Sequence, residues 1–125
     1  MVSTEIISDC IAKCRLYGSA VAAVPCVEAI LETDDKVSSN LIHDRDRLMK
    51  TQTPHAFPLG TLIWAHEEAE KRGIKNTVAS CTLMIELGET VFFSAGSEKN
   101  FKITTTDDLE IFKALLNTET SAWLR

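Results

Sequence analysis

Three stretches hold polar side chains that a hydrophobic core does not need: Asp44-Arg45-Asp46-Arg47, Lys50-Thr51-Gln52-Thr53-Pro54 and Asn100-Phe101-Lys102-Ile103-Thr104-Thr105. An arginine such as Arg45 can grip a phosphate through two parallel hydrogen bonds. Thr53 can add a hydroxyl donor. In the third stretch the alternation predicts a short strand over Phe101 to Thr104. It puts Phe101 and Ile103 on one face and Asn100, Lys102 and Thr104 on the other. Such a row beside a charged loop suits an anion. The residues alone therefore support binding of a small phosphorylated or carboxylated ligand. The plainer reading of each stretch is a solvated loop.

These groups need elements to position them. Ser3 or Thr4 can cap a helix running to Tyr17, with Ile7, Cys10, Ile11 and Cys14 on one apolar face and Gly18 as its stop. Ala20 to Val24 is a small apolar run suited to a strand covered on both faces. Ala29 to Thr33 and Val37 to Ile42 read as a hairpin around Asp34, Asp35 and Lys36. It is too polar to form a core, so it is expected to pack on something else, such as another subunit. Residues 43–57 read as a charged loop. A helix from Pro58 to Arg72 carries Leu59, Leu62, Ile63 and His66 on one face. A second helix, Thr77 to Leu87, carries Val78, Cys81 and Ile85. Val91 to Ala95 is a strand. Thr105-x-x-Asp108 has the pattern of a capping box before a last helix, with Leu109, Phe112 and Leu116 facing inward. Helices alternating with strands make the class α/β.

Composition limits the partners. The 125 residues suffice for one domain, and 45% hydrophobic with 25% charged is an ordinary globular mixture. The net charge of -5 argues against a nucleic-acid partner. No apolar run reaches the ~18 residues of a membrane span, and the N-terminus lacks a secretory pattern, so no membrane association is expected. Cys10, Cys14, Cys26 and Cys81 form no C-x-x-C pair, and His43, His55 and His66 have no zinc-like spacing. Reduced structural cysteines imply a cytoplasmic location.

Taken in order, Asp44, Arg45, Leu48, Gln52, Thr53, Pro54 and Phe57, then Asn100, Lys102, Ile103, Thr104, Asp108 and Leu109, form a connected pattern. It reads D-R-x-x-L-x-x-x-Q-T-P-x-x-F followed by N-x-K-I-T-x-x-D-L. It resembles the C-terminal half of the methylerythritol-phosphate and ribitol-phosphate cytidylyltransferases, from about Val2 to Leu116. The resemblance implies a partial nucleotide-binding, Rossmann-like nucleotidyltransferase sheet with helices on its faces. It also implies a projecting β-hairpin arm, about residues 26–50, that makes a homodimer. The implied reaction moves CMP from CTP to a sugar or polyol phosphate, either 2-C-methyl-D-erythritol 4-phosphate for isoprenoid biosynthesis or ribitol 5-phosphate. Pyrophosphate is released.

By the same resemblance, Arg45 and Lys102 position the acceptor phosphate for attack, and Thr53 belongs to the acceptor site. Asn100 and Thr104 stand beside Lys102 as substrate-binding candidates. Because the arm is exchanged, Arg45 and Thr53 are expected to serve the partner's site. Mg2+ or another divalent cation would accompany CTP and would not be held mainly by this chain. Two departures matter. The family's N-terminal CTP-binding half is missing, and the five glycines stand apart, so no glycine-rich phosphate loop is present. Where the family often has a T-D pair, this chain has Val78 and Ala79.

The chain is therefore expected to be the C-terminal portion of a cytidylyltransferase domain, inactive alone and prone to self-association. The alternative is a non-catalytic dimerisation or phosphate-binding module derived from that enzyme. A cysteine nucleophile, Cys81 with His66, is a third reading.

Overall fold

The computed structural model describes residues 1–75 and 77–117. Its elements are α1 (Thr4–Tyr17), β1 (Ala20–Pro25), β2 (Leu31–Glu32), β3 (Leu41–Ile42), a 3-10 turn (Arg45–Arg47), β4 (Met49–Ala56), α2 (Leu59–Arg72), α3 (Ser80–Glu86), β5 (Phe93–Ala95) and α4 (Thr106–Asn117). The main sheet has the order β4-β1-β5, with β1 antiparallel to β4 and parallel to β5. It is a mixed sheet in an α/β fold. Ala20 to Val24 are all buried, as expected of a strand covered on both faces.

Ser3 caps α1 by accepting from the Ile6 N–H, and Gly18 ends it at φ 87. A left-handed residue there suits glycine. The helix packs on the sheet, and the Asp9 carboxylate accepts from the Ala95 N–H at 2.8 Å. Its buried side chains are Ile6 and Cys10; Ile7 and Ile11 are exposed, so the expected apolar face is rotated. The same holds elsewhere. In α2 Ala65 and Ala69 are buried while Leu59 and Ile63 are exposed. In α3 Cys81, Leu83 and Met84 are buried while Ile85, and Val78 before the helix, are exposed. In α4 Leu109 and Leu116 are exposed. Each of these helices carries more apolar surface than the described core covers. A core cluster of Ala65, Ala69, Leu83, Met84 and Leu87 joins α2 to α3, with Phe57, Leu62, Ile74 and Val91 packed against it.

Residues 49–56 form β4 instead of continuing the predicted loop. A polar segment containing Pro54 reads as a loop, but the buried backbone groups of β1 need partners and β4 supplies them. The pairing is irregular. Val21 faces His55 and Ala23 faces Thr51, so Gln52, Thr53 and Pro54 together oppose Ala22. Such a bulge redirects side chains. The Thr53–Pro54 peptide is cis.

A hairpin forms, but its paired strands are shorter than the expected 29–33 and 37–42: Leu31 pairs with Ile42 and Glu32 with Leu41. All of residues 27–47 are exposed. The turn is held by the Asp35 carboxylate. It accepts from the Val37 N–H at 2.9 Å, the Ser38 N–H and hydroxyl at 2.8 Å, and the Thr33 hydroxyl at 3.0 Å. These bonds, the two backbone ones at Ser38 and Val37 above all, hold its pKa far below the ordinary carboxylate range.

Candidate active site

The β4 bulge sends Gln52 across to the loop that follows β5. The Gln52 Nε2 donates to the Ser97 carbonyl at 2.8 Å, and its Oε1 accepts from the Ser97 N–H at 3.1 Å. Beside this pair Asn100 Nδ2 donates to the Thr53 carbonyl at 2.6 Å and lies 3.4 Å from Gln52 Oε1. Gly96 makes the approach possible. A Cβ there would lie 2.6 Å from Gln52 Oε1 and 2.8 Å from the Ala23 carbonyl oxygen. Two segments remote in sequence are thereby fixed against each other.

Between them lies a cleft of about 440 Å³. Lys50, Thr53, Glu98 and Lys102 stand on its wall with Gln52 and Asn100. Thr53 and Lys102, chosen from different motifs, both line this cleft. Both belong to the same chain's cleft wall. Lys102 makes no ion pair among the described residues.

The other sequence candidates sit elsewhere or play local roles. Arg45 is outside the cleft, with its guanidinium 3.3 Å from the Val27 carbonyl. Asn100 borders the cleft, but it is only 7% exposed and its amide is committed to Thr53 and Gln52. The Thr104 hydroxyl donates to Asp108 at 2.9 Å. Residues 101–104 are not a strand, so the predicted two-face alternation is replaced by a path fixed at Asn100 and at the cap of α4. Phe101 and Lys102 both line the cleft. Val78 and Ala79 border it too, and Val78 is 93% exposed. Cys81 is buried and His66 exposed, which does not favour a catalytic pair.

Lys50, Glu98 and His55 were missed as site residues. Lys50 Nζ lies 3.2 Å from both Glu28 Oε1 and Glu98 Oε2. Hydrogen bonds to Glu28 and then Glu98 raise its pKa. Glu28 is lowered by its own backbone amide and then by Lys50. Burial lowers the pKa of His55, which favours the neutral imidazole. The sequence signal for Lys50 was its place in the second polar stretch. Nothing local marked Glu98, because its partner is 48 residues away. Among the described residues no group of three or more His, Cys, Asp or Glu side chains could hold a metal. No helix among them is long and apolar enough to cross a membrane.

The profile of the 2-C-methyl-D-erythritol 4-phosphate cytidylyltransferases matches residues 1–118. The chain belongs to this cytidylyltransferase family. A ribitol-5-phosphate cytidylyltransferase of Lacticaseibacillus paracasei is 40% identical over 118 residues, covering 93% of this chain and 50% of that protein. A 2-C-methyl-D-erythritol 4-phosphate cytidylyltransferase of Bacillus licheniformis is 36% identical over 118 residues, 94% of this chain and 50% of that one. The crystal structure of the 2-C-methyl-D-erythritol 4-phosphate cytidylyltransferase from Thermus thermophilus superposes with a TM-score of 0.80 at 25% identity. That match covers 92% of this chain and 56% of that one. The chain spans about half the length of the curated cytidylyltransferases it matches. The fold is the family's partial Rossmann-like arrangement of helices about a mixed sheet.

Proposed function

We propose that this chain supplies the acceptor-phosphate side of a cytidylyl transfer from CTP to a sugar or polyol phosphate, with release of pyrophosphate. The observation that carries the reading is that Thr53 and Lys102 line one cleft, from motifs whose family moves cytidylyl groups. The two named acceptors among its relatives are 2-C-methyl-D-erythritol 4-phosphate and ribitol 5-phosphate.

The chemistry asks for fixed cations. An acceptor phosphate oxygen must approach the α-phosphate of CTP in line, anion against anion. A positioned ammonium offsets that repulsion and holds the line of attack. Lys102 supplies the charge and Thr53 a hydroxyl donor. Arg45 does not line its own chain's cleft, and the exposed arm that carries it supports a homodimer in which it enters the partner's cleft. A divalent cation would arrive with CTP; the described residues offer it no cluster of ligands.

The test is calorimetric titration of the chain with both acceptors, beside an assay of CTP-dependent pyrophosphate release. Binding of at least one acceptor, weakened roughly tenfold or more by Lys102→Met, is expected from the loss of a charge-assisted hydrogen bond. Binding that ignores this substitution would sink the reading. Pyrophosphate release by the chain alone would show that this half suffices for turnover. Acceptor binding without turnover by the chain is also the outcome expected of a phosphate-binding module.

A further inference from the structure

The two lysines of the cleft are electrostatically unlike. Lys102 makes no ion pair among the described residues. Lys50 is shared between two carboxylates at 3.2 Å each, so Lys50, Glu28 and Glu98 together carry one surplus negative charge. That group cannot attract a phosphate as Lys102 can. It repels one.

Glu98 is also held in place. Its neighbour Ser97 is clasped on both backbone groups by Gln52, and Asn100 is tied to the Thr53 carbonyl. The preceding Gly96 is packed against Ala23, to whose carbonyl its N–H donates at 3.0 Å. A surface glutamate on a free loop would lose much side-chain and backbone entropy on binding; one on a clasped loop has lost part of it already.

An ionised carboxylate only accepts hydrogen bonds. In a cleft whose free cation already suits the phosphate, it is matched to hydroxyl groups. We propose that Glu98, held by Lys50, is a specificity-determining residue that reads the hydroxyls of the acceptor while Lys102 takes its phosphate. This rests on the acceptor-site reading above and adds what recognises the rest of the molecule. Glu98 thus does two things: it rewards a polyol chain and disfavours a second phosphate group at that end.

The test is the ratio of two affinities, for ribitol 5-phosphate and for inorganic phosphate, measured by calorimetry on the whole chain. The wild-type ratio is expected to favour ribitol 5-phosphate. Glu98→Ala should shrink it about tenfold, the worth of one hydrogen bond to a charged group. Glu98→Gln, which keeps an acceptor oxygen without the charge, should shrink it less. An unchanged ratio in Glu98→Ala overturns the proposal and leaves the acceptor-site reading intact. Phosphate binding that is absent from the wild type, or indifferent to Lys102→Met, sinks the acceptor-site reading and this proposal with it. Far-ultraviolet circular dichroism confirms that each variant is folded.

Discussion

The Asn100 side-chain amide donates a 2.6 Å hydrogen bond to the backbone carbonyl of Thr53, joining positions 47 residues apart. Asn100 is buried, so water is a poor substitute partner for its amide. Asn100→Leu removes the donor and leaves the Thr53 carbonyl underbonded. The expected cost is about 0.5–1.5 kcal/mol, the usual net worth of an intramolecular hydrogen bond. Urea denaturation of the two proteins measures it. A loss below about 0.5 kcal/mol would mean that water reaches the Thr53 carbonyl and that the tie contributes little.

Gly96 gives a second, steric prediction. An added Cβ meets the Ala23 carbonyl oxygen at 2.8 Å, a backbone atom that cannot swing away. Gly96→Ala should destabilise by roughly 1–3 kcal/mol through overpacking. It should also lower the hydrogen-exchange protection of the Ser97 N–H, because Gln52 Oε1 is displaced. An unaltered exchange rate at Ser97 would show that the clasp tolerates the methyl group.

Sequence reasoning singled out the second and third polar stretches, which line the cleft, but not the way they are joined. Thr53 and Lys102 were legible as residue types inside compact motifs. The bonds that bring them together, Gln52 to Ser97 and Asn100 to Thr53, cross more than forty residues and leave no local pattern. Strand β4 was hidden because its polar residues and Pro54 satisfy the rules of a loop, and only β1's need for partners makes it a strand. Both ends of α1, the end of α2 and the start of α4 were legible because capping is local: Ser3, Gly18, Gly73 and Thr105 act within four residues. Which helix face is buried was less legible, since spacing gives an apolar stripe without saying what covers it. Asn100 and Thr104 show the same limit from the other side. Both are polar and beside Lys102, yet their side chains are committed to Thr53 and Asp108.

Asp108 makes the start of α4 sensitive to acid. Its carboxylate accepts from the Thr104 and Thr105 backbone N–H groups and the Thr104 hydroxyl, each at 2.9 Å. These bonds, the backbone ones foremost, lower its pKa from an ordinary 3.8 to about 2. A depressed folded pKa means that the unfolded state binds the proton first as pH falls. The stabilisation is complete above about 3.8 and disappears as pH falls through about 2. Amide shifts of Thr104 and Thr105 should follow that titration, and Asp108→Asn should abolish it. A midpoint near 3.8 in the folded chain would mean that the cap is not formed.

Arg45 and Lys102 provide the decisive test of the exchanged arm. The arm is exposed throughout residues 27–47, and Arg45 is not among the residues lining its own cleft. In a two-fold dimer with crossed arms, each acceptor site takes Lys102 from one chain and Arg45 from the other. Arg45→Ala and Lys102→Met homodimers would then both have two damaged sites. Mixed and refolded together in equal amounts, half of the dimers are hybrids. Each hybrid has one site with both cations and one with neither. About a quarter of the wild-type acceptor-binding sites should therefore return. If Arg45 acted within its own chain, every site in the hybrid would keep one defect, and mixing would restore nothing. Calorimetric stoichiometry with ribitol 5-phosphate distinguishes the two outcomes without requiring turnover.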